Sequence, residues 1–385
     1  MGKKNIHIFL SSLTGVENRF FKEASYLLRS NIFDQVIAVG KWDEKYKINE
    51  VHKSGVLIKR CKTLIARYKS VPVINKYVLI RKLIALISII QFAVFALKTV
   101  INEKPTHVSV HNLQSLPVAV IAKWISGCKL VYVPHELESE RMGLKGLAKS
   151  IQALLENACI KHCDQIVVVC EPISEWYRKK YGLSNIHVVR NVPSKVDVSI
   201  RSIGGNAFRE KFQIPEDSIV FIYQGLIDET RGVLSLIESF KSSPHHLIFM
   251  GYGDLVEHIE RLGIKNIHYQ KSVPAADITS YTSTADIGLF TVPGSLPLSY
   301  QLSLPNKFFE YMHSEIPVIV TKNLTYLSEL VDAYKIGFKI DENGLPNLLS
   351  EIDIESVRAM KPRIRRFAQN AIWDVDAVVY HEVYK

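Results

Sequence analysis

Leu304-Pro305-Asn306-Lys307-Phe308-Phe309-Glu310-Tyr311-Met312, followed by Ile316-Pro317-Val318-Ile319-Val320, decides how this chain is read. A proline costs little at the first position of a helix, where its missing N–H has no partner to lose. The helix start leaves free backbone N–H groups and the positive end of the peptide dipoles, and Lys307 adds a cation there. That combination grips phosphate. One turn on, Glu310 can reach sideways to a pair of hydroxyls, as an acidic residue does on a ribose. The apolar run Ile316 to Val320 supplies the next buried strand. A solvated amphipathic helix could carry the same residues, so the rest of the chain decides.

Working outward, short apolar runs alternate with helical spacing. Ile6 to Leu10, Val36 to Val39, Val56 to Ile58, His107 to Val110, Lys129 to Val133 and Gln165 to Val169 read as buried strands. Phe20, Phe21, Ala24, Leu27 and Leu28 fall at helical spacing within Glu17 to Ser30. The alternation pauses over Asn191 to Asp217, with a linker expected near Pro193 to Gly205. It resumes at Ile219 to Tyr223, Leu247 to Met250, Ile267 to Tyr269, Ile287 to Phe290 and Val318 to Val320. This predicts an α/β protein of two doubly wound, Rossmann-like domains with mostly parallel sheets. Ligands of such domains bind at the carboxyl ends of the strands. A last helix is expected over roughly Val357 to Tyr384.

The chain has 385 residues, enough for two domains with cores of their own. With 47% hydrophobic and 22% charged residues it is globular and not disordered. Five cysteines, an odd number spread thinly, argue against a disulfide framework and for a reducing cytosol. Cys159, His162 and Cys163 lie at helical spacing but lack a second ligand pair, so no metal site is expected. The run Ile6 to Leu10 is too short for a signal-peptide core. Ile6 breaks the myristoylation pattern begun by Met1-Gly2, and a cytoplasmic chain is expected.

Charge is concentrated. Val51 to Asn102 contains no Asp or Glu and ten cations, matching the formal net charge of +10 for the whole chain. A basic segment from Lys53 to Lys98 calls for an acidic partner. Only Tyr68 and Tyr77 lie among these cations, too few for a base-stacking surface, so nucleic acid is not expected. Arg81 to Ile101 reads as a long apolar helix with Arg81, Ser88, Gln91, Lys98 and Thr99 in a narrow arc. Its cleanest run, Leu83 to Leu97, falls short of the ~20 residues of a span. Peripheral docking on an anionic inner leaflet of the plasma membrane is the expectation.

Further residues join the opening stretch: Gly225, Arg231-Gly232, Gly251-Tyr252-Gly253, Tyr281, Ala285-Asp286-Ile287-Gly288 and Ile336-Gly337, with Pro134-His135-Glu136-Leu137 and Asn191-Val192-Pro193 earlier. Taken together, they resemble the retaining, family 4 type of nucleotide-sugar glycosyltransferases of the GT-B fold, closest to those that build bacterial surface polysaccharides. The resemblance is strongest from Phe221 to Asp341. It implies domains over 1–195 (acceptor) and 206–365 (nucleotide sugar), with 366–385, including Trp373, crossing back to the first.

The resemblance also implies roles. Glu310 matches the second Glu of the E-x7-E signature and would hold the ribose, while Pro305, Asn306 and Lys307 would lie at the donor phosphates. Arg231 matches a phosphate-binding cation, Gly225, Gly251 and Gly253 border the nucleotide, and His135 lies near the donor sugar. His135, Arg231 and Lys307 are thus the expected catalytic residues. Gly15, His111 and Glu136 are expected on the acceptor side, with Glu138 and Glu140 in a solvated loop. Two positions depart from the family: the first Glu of the signature falls at Leu302, with Ser299, Tyr300, Gln301 and Ser303 as candidate substitutes, and an Arg falls at Leu226. The expected reaction is metal-free and cofactor-free transfer, with retention, to a lipid-linked or oligosaccharide acceptor. A nucleotide-sugar epimerase or a non-catalytic nucleotide-binding protein are the alternatives.

Overall fold

The computed structural model describes residues 2–13, 18–68, 77–141, 143–195 and 206–385. Gly15, Lys69, Lys76 and most of the expected linker lie outside them. The chain divides into two compact units, Met1–Val189 with Ala377–Lys385, and Arg190–Asp376.

In the first unit, β1 (Lys4–Ile8), β2 (Gln35–Lys41), β3 (Asn49–Val51), β4 (Leu57–Cys61), β5 (His107–Val110), β6 (Lys129–Tyr132), β7 (Gln165–Val168) and β8 (Ile186–Val188) form one sheet. Their order is β3-β4-β2-β1-β5-β6-β7-β8. Every pairing is parallel except β3 with β4. The central strands are buried on both faces: β2 reads as a continuous apolar run, while β1 and β5 alternate apolar residues with the buried polar Asn5, His7, His107 and Ser109. The edge strands β3 and β8 are three residues long and partly exposed, too short and polar to show in a pattern.

The helix joining β4 to β5 runs Val78–Glu103, longer at both ends than the sequence suggests. Ser88 and Gln91, the polar residues that interrupt its apolar run, accept hydrogen bonds from Ile65 N and Leu64 N at 2.9 Å each. They cap the short helix Leu64–Tyr68. Parts of the expected basic segment are also spent internally. Arg60 is buried, pairs with Glu50 at 2.6 Å and donates to the carbonyls of Ser12, Leu13 and Lys47. Lys59 pairs with Glu103, and the Lys62 ammonium lies 4.6 Å from the ring centre of Trp42. The segment is therefore not one uniform basic face.

In the second unit, β9 (Val220–Leu226), β10 (His246–Tyr252), β11 (Ile267–Lys271), β12 (Ile287–Phe290), β13 (Val318–Thr321) and β14 (Gly337–Ile340) form an all-parallel sheet in the order β11-β10-β9-β12-β13-β14. The strand order reverses between β9 and β12. These two pair only at Ile287↔Phe221 and Gly288↔Ile222, then part. Such a reversal opens a crevice at the carboxyl ends of the strands.

The expected last helix is instead a series of short ones: Ile354–Arg358, Lys361–Gln369, Trp373–Asp376 and Tyr380–Val383. Pro362 opens the second, and Asn370 ends it. Trp373 N then donates to Pro193 O at 2.9 Å. Phe367 packs on Phe308 and Tyr334, ring centres 5.6 and 4.9 Å apart, so the Lys361–Gln369 helix belongs to the second unit. The residues that return to the first unit are Ala377–Lys385, later than position 366.

Candidate active site

Pro305 takes an extended conformation and the helix Asn306–His313 follows it. Lys307, Glu310 and Tyr311 lie at positions i, i+3 and i+4, so they share one face. That face meets the point where β9 and β12 part. The Tyr311 hydroxyl lies 3.3 Å from Ile222 O on β9 and 3.2 Å from Leu289 O on β12, and accepts from Gln224 N at 3.3 Å. It bridges the split. Gly288 makes room for it, since a Cβ there would stand 2.5 Å from the tyrosine ring.

Lys307 stands above the split, its ammonium 4.3 Å from the ring centres of both Tyr223 and Phe290. It has no hydrogen-bond partner among the described residues. Burial, then the neighbouring Arg231, lower its pKa to about 7, and Glu310 only partly opposes them. Arg231 ends the turn Glu229–Arg231 after β9 and donates to the Tyr300 hydroxyl at 2.5 Å. Its Nε is buried without a partner among the described residues. Two cations with unmade hydrogen bonds, beside a helix start, form an anion-binding arrangement.

Glu310 is held by a residue the sequence reading missed. Gln224, near the end of β9, donates its amide to the Glu310 carboxylate and accepts from Thr282 Oγ1 at 2.8 Å. Its only signal in the sequence is a polar residue closing the apolar run Val220 to Tyr223. Asn306, at the exposed helix start, accepts from Asn191 at 2.7 Å. Leu302 caps the short helix Leu298–Gln301. Of its neighbours, Gln301 and Ser303 bond within their own loop, Ser299 is buried, and Tyr300 faces Arg231. Leu226 stands exposed at the end of β9.

Gly225 and Gly251 are opposite one another in the β9–β10 pairing. Gly225 has φ 116°, and a Cβ on Gly251 would stand 1.9 Å from Gly225 O. Gly253 has φ 151°, and a Cβ there would stand 2.2 Å from Ile227 O. Strand-end packing by itself accounts for these glycines.

In the first unit, His111 follows β5 and His135 follows β6, their rings stacked with centres 5.5 Å apart. His111 Nε2 meets His7 Nδ1 at 2.9 Å, and Phe9 stacks on its other side at 4.2 Å. Burial lowers the pKa of His7 to about 3 and that of His111 well below its ordinary value. His135 keeps an open edge, and its crowded surroundings, then Arg19, also lower its pKa. All three are neutral at physiological pH. Glu136 pairs with Arg141 at 2.9 Å. Glu138 is not solvated as expected: it is buried, and burial raises its pKa to about 7 against the pull of Arg141.

Residues 14–192 match the family model Glycosyltransferase Family 4, and residues 235–372 match Glucosyltransferase 3-like, C-terminal domain. Comparison with curated protein sequences returns no match. Sucrose-phosphate synthase from Thermosynechococcus elongatus is similar in structure, with 15% identity, TM-score 0.76, and coverage of 99% of this chain and 98% of its own. Anabaena HepE in complex with UDP is similar at 15% identity and TM-score 0.69, over 99% of both chains. The lipopolysaccharide outer core galactosyltransferase WaaB is similar at 14% identity and TM-score 0.64, over 98% of both. Such identities speak to the fold, and the fold agrees with the two sheets described above. The two models together span most of the chain, which is a glycosyltransferase with the GT-B fold, family 4-like over residues 14–192.

Proposed function

We propose that this enzyme moves a sugar from a nucleotide-diphosphate sugar to a lipid-linked saccharide acceptor in cell-surface polysaccharide synthesis, with retention at the anomeric carbon. The observation that carries the donor assignment is the group at the start of the Asn306–His313 helix. Lys307 and Arg231 hold unmade hydrogen bonds there, and Gln224 fixes the Glu310 carboxylate beside them. A diphosphate would satisfy both cations and the helix N–H groups, and Glu310 would take the ribose hydroxyls. HepE has been solved with UDP and with UDP-glucose, which makes uridine donors the first to test. The naming of WaaB for the lipopolysaccharide outer core supports the surface-polysaccharide reading.

In transfer, the bond from the anomeric carbon to the phosphate oxygen breaks and negative charge grows on the diphosphate. Lys307, Arg231 and the helix start stabilise that charge, so we propose that no metal ion is required. The acceptor oxygen bonds to the anomeric carbon on the face the phosphate leaves, and its proton passes to the departing phosphate oxygen. His135, neutral at physiological pH, would offer a hydrogen bond to the donor sugar and not a charge. Glu136 and His111 would border the acceptor, and the enzyme would work in the cytoplasm at the inner face of the plasma membrane.

Calorimetry against nucleoside diphosphates and their sugars tests the donor assignment. Binding is expected for at least one member, unaffected by chelator and abolished by Lys307→Met. Silence across the panel overturns the assignment. Conversion of the free donor without acceptor overturns transfer in favour of an epimerase.

A further inference from the structure

The first unit carries an apolar surface that its own core leaves uncovered. The helix Val78–Glu103 buries Phe92, Ala96 and Val100 on one side. On its other side Leu83, Leu86 and Ile90 are 57%, 55% and 55% exposed. The helix Leu116–Ser126 packs beside it and exposes Trp124 and Ile125. Next along, the helix Gly146–Cys159 exposes Leu147, Ile151 and Leu154, spaced i, i+4, i+7 as a single outward stripe. A helix apolar on its inner and outer sides is buried in protein or in lipid. A surface of this kind across three adjacent helices marks an interaction site.

Its charge selects the occupant. Residues 78–102, 113–126 and 143–155 contain no Asp or Glu, while Lys82, Lys98 and Lys145 are exposed along them; Lys149 is exposed too but pairs with Glu140 at 2.6 Å. A second copy docking by two-fold symmetry would set Lys82, Lys98 and Lys145 against the same lysines, and these three stretches supply no carboxylate of their own to pair them. An anionic bilayer offers hydrocarbon to the leucines and isoleucines and phosphate to the lysines. Trp124 adds an amphipathic ring suited to headgroup depth.

We propose that these three helices lie flat on an anionic lipid surface, their apolar side chains entering the acyl boundary and their lysines meeting the headgroups. The proposal deepens the reading of a lipid-linked acceptor and rests on it. Lys82–Glu103 is long and apolar enough to cross a membrane, contrary to the expectation from the run Leu83 to Leu97. It cannot do so in this fold, because it joins β4 to β5 and these share one sheet through β2 and β1. Attachment therefore depends more on the apolar stripe than on the basic segment, whose Lys59, Arg60 and Lys62 are engaged within the protein.

Flotation of the full-length protein with phosphatidylcholine vesicles, with and without phosphatidylglycerol, tests this. The protein should float with the anionic vesicles. Two triple variants, Leu83→Gln with Leu86→Gln and Ile90→Gln, and Leu147→Gln with Ile151→Gln and Leu154→Gln, should each stay at the bottom while binding UDP as the parent does. Lys82→Gln and Lys98→Gln should each weaken partitioning by about five-fold. Trp124 should give a blue-shifted emission component on vesicles, absent in Trp124→Phe. Three results overturn the proposal: no flotation of the parent, unchanged flotation of both triple variants, or a solution dimer that the triple variants dissolve. Failure of the parent to bind any nucleotide would instead count against the transferase reading, whatever the vesicles show.

Discussion

Burial of the Lys307 ammonium, and then the neighbouring Arg231 guanidinium, disfavour its charge in the ligand-free protein, and the ring faces of Tyr223 and Phe290 offset this only in part. Its pKa, lowered from 10.5 to about 7, measures that disfavour. The sign follows from linkage. Above about pH 7 the free site holds a neutral amine, and a bound diphosphate restores the ammonium, so binding takes up a proton. UDP affinity should then fall as pH rises from about 7 towards 10.5, by at most about ten-fold per pH unit. Calorimetry in buffers of different ionisation enthalpy reads the proton directly, and Lys307→Arg, always charged, should take up none. Gln224 gives a second prediction. Gln224→Leu frees the Glu310 carboxylate and strands the Thr282 hydroxyl, and should weaken UDP binding by about 1–1.5 kcal/mol. Combined with Glu310→Ala the losses should be less than additive, because both remove one interaction. Lys307 and Glu310 were legible in the sequence because one short stretch carries both. Gln224 was not, for it stands on another strand and acts only once the sheet has formed.

At the scale of elements, the helix Asn306–His313 is fixed to the sheet by its Tyr311. The hydroxyl supplies polar partners where β9 and β12 stop pairing, a place at which backbone groups would otherwise be buried unpaired. Tyr311→Phe keeps the ring against Gly288 and removes only those partners. It should lower stability by about 1–3 kcal/mol in urea melts and weaken UDP binding as the helix start loosens. Unchanged stability would mean the bridge is dispensable. The same contrast explains what was legible in the elements. Central strands such as β2, β9, β10 and β13 announce themselves because burial on both faces favours apolar runs, while β1 and β5 show as alternation because Asn5, His7 and Ser109 bond one another inside. Ser88 and Gln91 looked like one polar arc of their own helix, yet they cap another helix twenty-odd residues earlier. The last helix was drawn too long because helical spacing alone does not register the breaks around Pro362 and Asn370.

Over the whole molecule, the chain ends in the unit where it began, and a buried polar string ties the two ends together. The Tyr384 hydroxyl donates to Glu23 at 3.0 Å and meets Ser109 at 3.0 Å; Ser109 bonds Asn5, and Asn5 meets His7, which reaches His111. Ala377, Tyr380, Val383 and Tyr384 are thus part of the first unit's interior, and Tyr384 is part of the support beneath its histidines. Glu23 is the strained member, its pKa raised by burial from 4.5 to about 7 against the pull of Arg19, Tyr384 and Tyr380. A carboxyl with a raised folded pKa stabilises most below its unfolded pKa, and this contribution is lost as pH climbs from about 4.5 through 7. The buried histidines act oppositely: His7 and His107, lowered to about 3 and about 4, favour the fold as pH rises towards 6.5. Only a difference between variants isolates Glu23. Glu23→Gln should therefore lose less stability than the parent between about pH 4.5 and 7, in urea melts across that window. Tyr384→Phe, which leaves the same carboxyl and Ser109 short of a partner, should destabilise the first unit by about 1–3 kcal/mol. Hydrogen exchange should place that loss in β1 and β5, and protection there that matched the parent would show that the C-terminal tyrosine is not part of the interior that holds His7 and His111.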